Sequence, residues 1–285
     1  MANISVIGIC GKSTFMYVDH FHQNGETLVA DSVYEEVGGK GINQAIAAVR
    51  MGATISFLTA VGDDADGQKC MDAAKANGID AYFKIKENKT TPFAFILTDK
   101  AGENRVTEFK GAELCIEDVL SFKKEIQNSD ILLLQQEVPK EVNDVAVRIA
   151  SESGVKIILN PAPIREISDE TAAKVYMVTP NQQEKQVISP NRFKNCITTL
   201  GGDGCLINEN IKIPPLKVKA VDTTGAGDTF NGVLAACLSE GKSLESACKS
   251  AVIASGISVG RRYVLNAIPY RDEVETIEKR EEDDI

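Results

Sequence analysis

The chain has 285 residues, 43% of them hydrophobic and 25% charged, and carries a formal net charge of −10. A chain of that length holds one sizeable α/β domain, or a core with a small appendage, rather than two equal domains. The acidic balance excludes a nucleic-acid or anionic-membrane surface, because both need clustered Lys and Arg; a phosphate ligand must instead be held by backbone amides, a few cations or a metal.

In chain order, residues 3–9 (NISVIGI) read as a buried strand. Residues 14–20 and 27–36 then alternate like strands around Asn24-Gly25, and residues 92–98 and 104–109 do so across the turn Asp99-Lys100-Ala101-Gly102. These two pairs suggest a small sheet outside the main body. Helical periodicity covers 42–51, 65–77, 117–127, 140–153, 228–240 and 244–259, with Gly52, Gly78, Gly154 and Gly241 as stops. Apolar strands at 54–60, 130–135, 155–159, 175–179 and 195–199 alternate with these helices. That alternation predicts a largely parallel sheet covered on both faces. Residues 275–285 read as a helix end running into a solvated acidic tail. The seven cysteines are scattered without a CxxC pair, which suits thiols in a reducing compartment, so a cytoplasmic location is expected. No basic-then-apolar leader and no run approaching about 20 apolar residues is present, so neither export nor a membrane anchor is expected.

Two apparent motifs fail on their own terms. Cys10-Gly11-Lys12-Ser13 stands where a P-loop would end, but the required earlier Gly is Val6, and the residues after Ser13 alternate like a strand instead of opening a helix. Gly38-Gly39-Lys40-Gly41 is no dinucleotide fingerprint, because Gln44 occupies the third Gly position. His20 and His22 share a strand face without a Cys or third His nearby, which favours pocket or surface polarity over a metal pair.

The strongest site candidate runs from Asp222 to Phe230 (DTTGAGDTF), after an extended segment and before a helix. Gly225, Ala226 and Gly227 let successive N–H groups turn toward one point, and the helix N-terminus adds positive potential, making an anion hole. Asp228 falls in the helix's first turn, where the dipole favours a carboxylate able to accept a proton. A base beside an anion hole is what removing a hydroxyl proton next to a migrating phosphoryl group requires. The plainer alternative is a helix cap on a tight turn.

Residues 38–48 (GGKGINQAIAA), 59–67 (TAVGDDADG) and 222–232 (DTTGAGDTFNG) resemble the two signature regions of the ribokinase, or PfkB-type, carbohydrate kinases. The intervening QQEVP (135–139), NPAP (160–163), TPNQQE (179–184) and TLGGDG (199–204) follow that family's order, so the likeness covers nearly the whole chain. The resemblance implies a doubly wound α/β core over 1–285 with a small β lid, its strands lying at about 12–36 and 91–109. The sugar would lie under the lid and ATP on the open side. It also implies ATP-dependent phosphorylation of a sugar hydroxyl, most simply a primary one, with Asp228 as base and Gly225, Ala226 and Gly227 as anion hole. Gly38, Gly39, Lys40, Asn43 and Glu137 would contact the sugar. Asn181 and Glu184 would help hold Mg²⁺ through water, and Thr199, Gly201 and Gly204 would pack on the nucleotide. Pairing of lids in a homodimer is a further expectation.

Three departures qualify the resemblance. Ribokinases present an Asn and an Asp to the sugar from the segment after the first strand, and those positions are read here as Thr14 and Met16. Losing that carboxylate removes hydrogen bonds worth about 1.5–3 kcal/mol each, so an acceptor other than free ribose is expected. Asp222 and Thr224 match monovalent-cation positions, but Tyr263 and Ala267 stand where Gly and an oxygen-bearing side chain are usual, so potassium dependence is expected to be weak or absent. The stretch from Glu184 to Cys196 contains Pro190 and is too short for the usual helix and loop, which puts nucleotide affinity and base preference in doubt. A nucleoside kinase, with Phe15 and Met16 facing the base, is one alternative. A catalytically silent sugar-binding regulator is another; it would need neither Asp228 nor the Asn181/Glu184 pair.

Overall fold

The first strand, β1 (Asn3–Ile7), buries Ile4, Val6 and Ile7 alike because it lies in the middle of a sheet with helices on both faces. The computed structural model describes residues 3–283, so the last two residues of the acidic tail lie outside the described residues. After β1 the chain leaves the main sheet for β2 (Gly11–Tyr17) and β3 (Ser32–Gly38). It returns through α1 (Lys40–Arg50), β4 (Thr54–Gly62), α2 (Ala65–Ala76) and β5 (Asp80–Lys86). Next come β6 (Phe93–Thr98) and β7 (Asn104–Phe109), then α3 (Ile116–Ser121), α4 (Lys123–Gln127), β8 (Ile131–Gln135), α5 (Lys140–Glu152) and β9 (Lys156–Asn160). The remainder comprises α6 (Asp169–Lys174), β10 (Met177–Val178), α7 (Gln182–Ile188), β11 (Ile197–Thr199), β12 (Cys205–Ile207), β13 (Ile211–Ile213), α8 (Ala226–Ser239), α9 (Leu244–Val259) and α10 (Arg271–Asp283).

Six parallel strands form the main sheet in the order β10-β9-β8-β1-β4-β5. The order reverses between β1 and β8, and the crevice beyond the carboxyl ends of two such diverging strands is where open α/β sheets bind ligands. Alternate strand residues feed the two cores. Ile4, Val6, Ile131 and Leu133 pack toward α1, α8 and α9, while Ile7, Leu132 and Leu134 pack toward α3, α4 and α5. A separate four-stranded sheet, β3-β2-β6-β7, forms the lid.

The differences from expectation have local causes. The segment 117–127 is two short helices, because the chain turns at the buried Phe122, whose N–H closes on the Val119 carbonyl. Residues 27–31 are not strand: they are largely exposed, with Val29 almost fully so, and β3 begins only where Ser32 pairs Tyr17. The strand after Cys10-Gly11 is real, and its first N–H, from Lys12, pairs with the Pro92 carbonyl at 2.9 Å. All seven cysteines are free thiols. No helix among the described residues is long and apolar enough to cross a membrane.

Candidate active site

Three clefts open at the carboxyl edge of the main sheet. One of about 380 Å³ lies between the lid and the start of α1, lined by Gly38, Gly39, Lys40, Asn43, Glu137, Thr224, Gly225 and Asp228 among others. A second, of about 510 Å³, is walled by Asn181, Glu184, Thr199, Gly225, Gly227 and Asp228. The third, of about 830 Å³, lies between the loop carrying Thr199, Gly201 and Gly204 and the helices α8 and α9. The turn into α8 borders all three: Gly225 and Asp228 face the first two, and Ala226 and Gly227 the third.

That turn requires its glycine. Gly225 has φ +74°, and a Cβ there would lie 2.5 Å from Val264 Cγ1. Among the described residues the N–H groups of Gly225, Gly227 and Asp228 have no protein acceptor, whereas the Ala226 N–H bonds the Thr223 carbonyl at 3.3 Å. The free donors at this turn are therefore the N–H groups of residues 225, 227 and 228, and Ala226 contributes its small side chain instead of a free donor.

Asp228 is 7% exposed, and each carboxylate oxygen accepts one amide N–H. Asn43 Nδ2 donates to Oδ2 at 3.0 Å, leaving Asn43 Oδ1 without a protein partner, and Gln44 Nε2 donates to Oδ1 at 3.0 Å. Gln44 is fully buried; its Nε2 also donates to Asn160 Oδ1 at 3.2 Å, and its Oε1 accepts from Gln135 Nε2 at 2.7 Å. Asn160 in turn donates to the Thr179 carbonyl. A line of amides from α1, β8 and β9 thus fixes the carboxylate's orientation. Gln44, Gln135 and Asn160 belong to no motif that marks them as site residues; their one signal in the sequence is an amide inside or ending an apolar run, a group that needs a buried partner.

Lys40 and Glu137 face each other across the floor of the first cleft. Gly39 has φ +108°, and a Cβ there would meet the Ile9 carbonyl at 2.7 Å, so only glycine lets α1 start close against β1's exit. The Lys40 N–H then donates to Glu137 Oε2 at 2.9 Å. Burial pushes the Glu137 carboxyl up to about 8, with Lys40 opposing the shift and the negative charge of Asp228 adding to it. The same Asp228 charge, above all, raises Lys40 against the effect of its own burial, so its ammonium stays charged.

Asn181 and Glu184 form a capping box on α7. Asn181 Oδ1 accepts from the N–H groups of Gln183 and Glu184, and Glu184 accepts from the Asn181 N–H at 2.8 Å. Burial raises the Glu184 carboxyl. No three His, Cys, Asp or Glu side chains among the described residues converge to ligate a metal directly; His20 instead bonds Asp19 and Glu26 on the lid.

One expectation needs correction: Thr14 and Met16 do not line the first cleft. Successive strand residues point to opposite faces, and on β2 it is Gly11, Ser13 and Phe15 that face the cleft while Thr14 turns away to bond Glu35 at 3.1 Å. The side chains of Asp222 and Thr224, the matched cation positions, are engaged by protein donors. Asp222 accepts from the Thr224 and Tyr263 N–H groups at 2.9 and 3.1 Å, Thr224 Oγ1 accepts from the lid residue Asn104 at 3.4 Å, and Ala267 offers no side-chain oxygen. Tyr263 holds φ +66°, costly for a bulky residue, and its ring stacks on Tyr34 with centroids 3.6 Å apart.

An oriented carboxylate between an acceptor-sized cleft and free helix-terminal N–H groups places the chain among the phosphotransferases that act on a hydroxyl group. The description "pfkB family carbohydrate kinase" matches residues 1–271, and the chain belongs to that family. It is 34% identical to a ribokinase of Bacillus subtilis over 291 residues, covering 97% of this chain and 99% of the relative. The crystal structure of a Thermotoga maritima ribokinase superposes with a TM-score of 0.87 at 34% identity, covering 98% of this chain and all of that one. The structure of an Arabidopsis thaliana ribokinase complexed with ribose and ATP superposes with a TM-score of 0.84 at 25% identity, covering 97% and 99%.

Proposed function

We propose that the enzyme transfers the γ-phosphoryl group of ATP to a hydroxyl, a primary one, of a sugar seated under the lid. Asp228 takes the hydroxyl proton, and the N–H groups of Gly225, Gly227 and Asp228 receive the transferring phosphoryl oxygens. Lys40, Asn43 and Glu137, with the Gly38-Gly39 turn, position the acceptor, and ATP lies along Thr199, Gly201 and Gly204 in the largest cleft. The Arabidopsis thaliana neighbour, complexed with ribose and ATP, supports a sugar and ATP as the two substrates. Lid closure excludes water from the transfer. The carrying observation is that Asp228, held by two amides, stands where the acceptor cleft meets the anion-binding turn. Asp228→Ala is expected to lower turnover about 10²–10⁴-fold with acceptor affinity, read by calorimetry, little changed; undiminished turnover refutes the assignment.

A Mg²⁺ ion entering with the nucleotide fits the second cleft only through its own water, because both carboxylates there are already engaged, Glu184 in a helix cap and Asp228 by the amides of Asn43 and Gln44. Asn181 and Glu184 would hold that hydration shell. Bound there, the ion supplies neutralisation of phosphate charge.

Met16 does not face the acceptor cleft and gives no ground against free ribose, and a relative named ribokinase lends that exclusion no support. Ribose is therefore the first acceptor to assay, followed by nucleosides, since Phe15, Ile96 and Val106 form an apolar wall that suits a base. ADP release across such a panel separates the two. On the lid's outer face Val33, Phe95 and Phe109 are 61%, 41% and 50% exposed, and every residue of β7 is exposed. A second copy of the chain would cover that face, which sedimentation equilibrium decides. The reduced thiols suit a cytoplasmic enzyme.

A further inference from the structure

The acceptor cleft has a roof as well as a floor. Ser13 on β2, Ala94 on β6 and Glu108 on β7 stand in one cross-strand row. Residues in such a row project to the same face of a sheet, and all three line the cleft that holds Lys40, Asn43 and Asp228. Ser13 and Ala94 are short. Glu36 on β3 continues the row beyond Ser13 but is spent on the Val264 and Leu265 N–H groups, so Glu108 is the long side chain of the row left to extend toward a ligand.

The other carboxylates of the lid near this cleft have partners. Glu36 accepts from the Val264 and Leu265 N–H groups, and Glu35 accepts from Thr14 and lies near Lys12. Glu108 is exposed, and its side chain makes no hydrogen bond or ion pair among the described residues. It lies close enough to the cleft floor for its charge to act on both Lys40 and Glu137. The resemblance calls for a carboxylate presented to the sugar from β2, yet the cleft-lining residues there are Gly11, Lys12, Ser13 and Phe15, none of them acidic.

The geometry points to Glu108 as that missing carboxylate: a specificity-determining residue, moved two strands across the lid, that accepts hydrogen bonds from two neighbouring hydroxyls of the acceptor. This rests on the sugar-kinase reading and deepens it by naming the acceptor's class. Glu108, Glu184 and Asp228 line the cleft against one buried cation, Lys40, while Glu137, its carboxyl pushed up to about 8 by burial, adds little charge at neutral pH. The other two lysines at its border lie beside acids of their own, Lys12 at 3.0 Å from Asp66 and Lys110 at 3.9 Å from Glu113. Such a lining repels sugar acids and sugar phosphates and suits an uncharged acceptor with a vicinal hydroxyl pair. Because Glu108 is on the lid and Asp228 on the core, the contact also couples recognition of the sugar to closure.

The test measures binding by calorimetry and turnover by ADP release, using D-ribose, 2-deoxy-D-ribose, D-fructose and adenosine with the wild-type chain, Glu108→Ala and Glu108→Gln. For the best acceptor, both variants should lose about 10–100-fold in affinity, the effect of removing one or two charge-assisted hydrogen bonds. The wild-type preference for D-ribose over its 2-deoxy analogue should shrink in parallel, while kcat and the KM for ATP stay within about threefold. Unchanged acceptor affinity in both variants, or a loss confined to kcat, overturns the role of Glu108 while leaving the sugar-kinase reading intact. Failure of the wild-type chain to bind or phosphorylate any of the four overturns both. Glu108→Gln keeps the side-chain shape at an exposed position, so a folding defect confined to Glu108→Ala leaves the test decisive.

Discussion

The floor and the roof of the acceptor cleft are built on different principles. On the floor, Asp228, Gln44, Gln135 and Asn160 are buried, and each is held by at least one hydrogen bond to another polar group. On the roof, a thin sheet meets the core through one face, and its edge strand, β7, is exposed along its whole length. In the floor a side chain has one allowed place, because an unpaired buried amide costs about 1–3 kcal/mol. In the roof the backbone register decides which residues face the ligand, and the side chains there are free to wait for it.

Three experiments break or sharpen this contrast. The largest effect is expected from Gln44→Leu, which removes one donor from Asp228 and leaves Gln135 and Asn160 without their shared partner. Turnover should fall about 10–100-fold, as expected for a misaligned base, with the acceptor KM little changed and the pH–rate profile displaced. A loss of thermal stability with an unaltered pH–rate profile would reduce Gln44 to packing. A smaller effect concerns Glu137. Its folded carboxyl titrates near 8, against an ordinary value of 4.5, so between these values the unfolded chain binds fewer protons than the native one. Stability should therefore fall as pH rises through that window. Glu137→Gln should flatten the fall, by an amount on the order of a few kcal/mol between pH 5 and 8.5, and urea midpoints at the two pH values read it. The smallest effect is expected from cations. With both Asp222 oxygens engaged by backbone N–H groups, replacing sodium by potassium should change turnover less than about twofold; a large activation would show that the loop rearranges to admit the ion.

The same contrast explains what was legible in the sequence. Strands buried on both faces and helices with apolar stripes carry strong periodic signals, and β1, β4, β8, α1, α8 and α9 fall close to where the pattern puts them. The partly exposed β5 and the three-residue β12 and β13 carry almost none. Within the site, Gly225 to Asp228 is contiguous in the chain and announces itself. Gln44, Gln135 and Asn160 come together from positions 91 and 116 residues apart, which no local pattern records. Thr14 and Met16 show the roof's particular hazard, since a strand alternates strictly and a reading displaced by one residue selects the wrong face throughout.

The turn at 225–228 separates three compartments with a wall only four residues long. One inserted residue there would shift every compartment at once, and no compensating change in any single one of them would restore the others. The lid rows have no such indivisibility: exchanging one letter between Ser13, Ala94 and Glu108 changes one side chain on the cleft's roof and leaves the turn beneath in place.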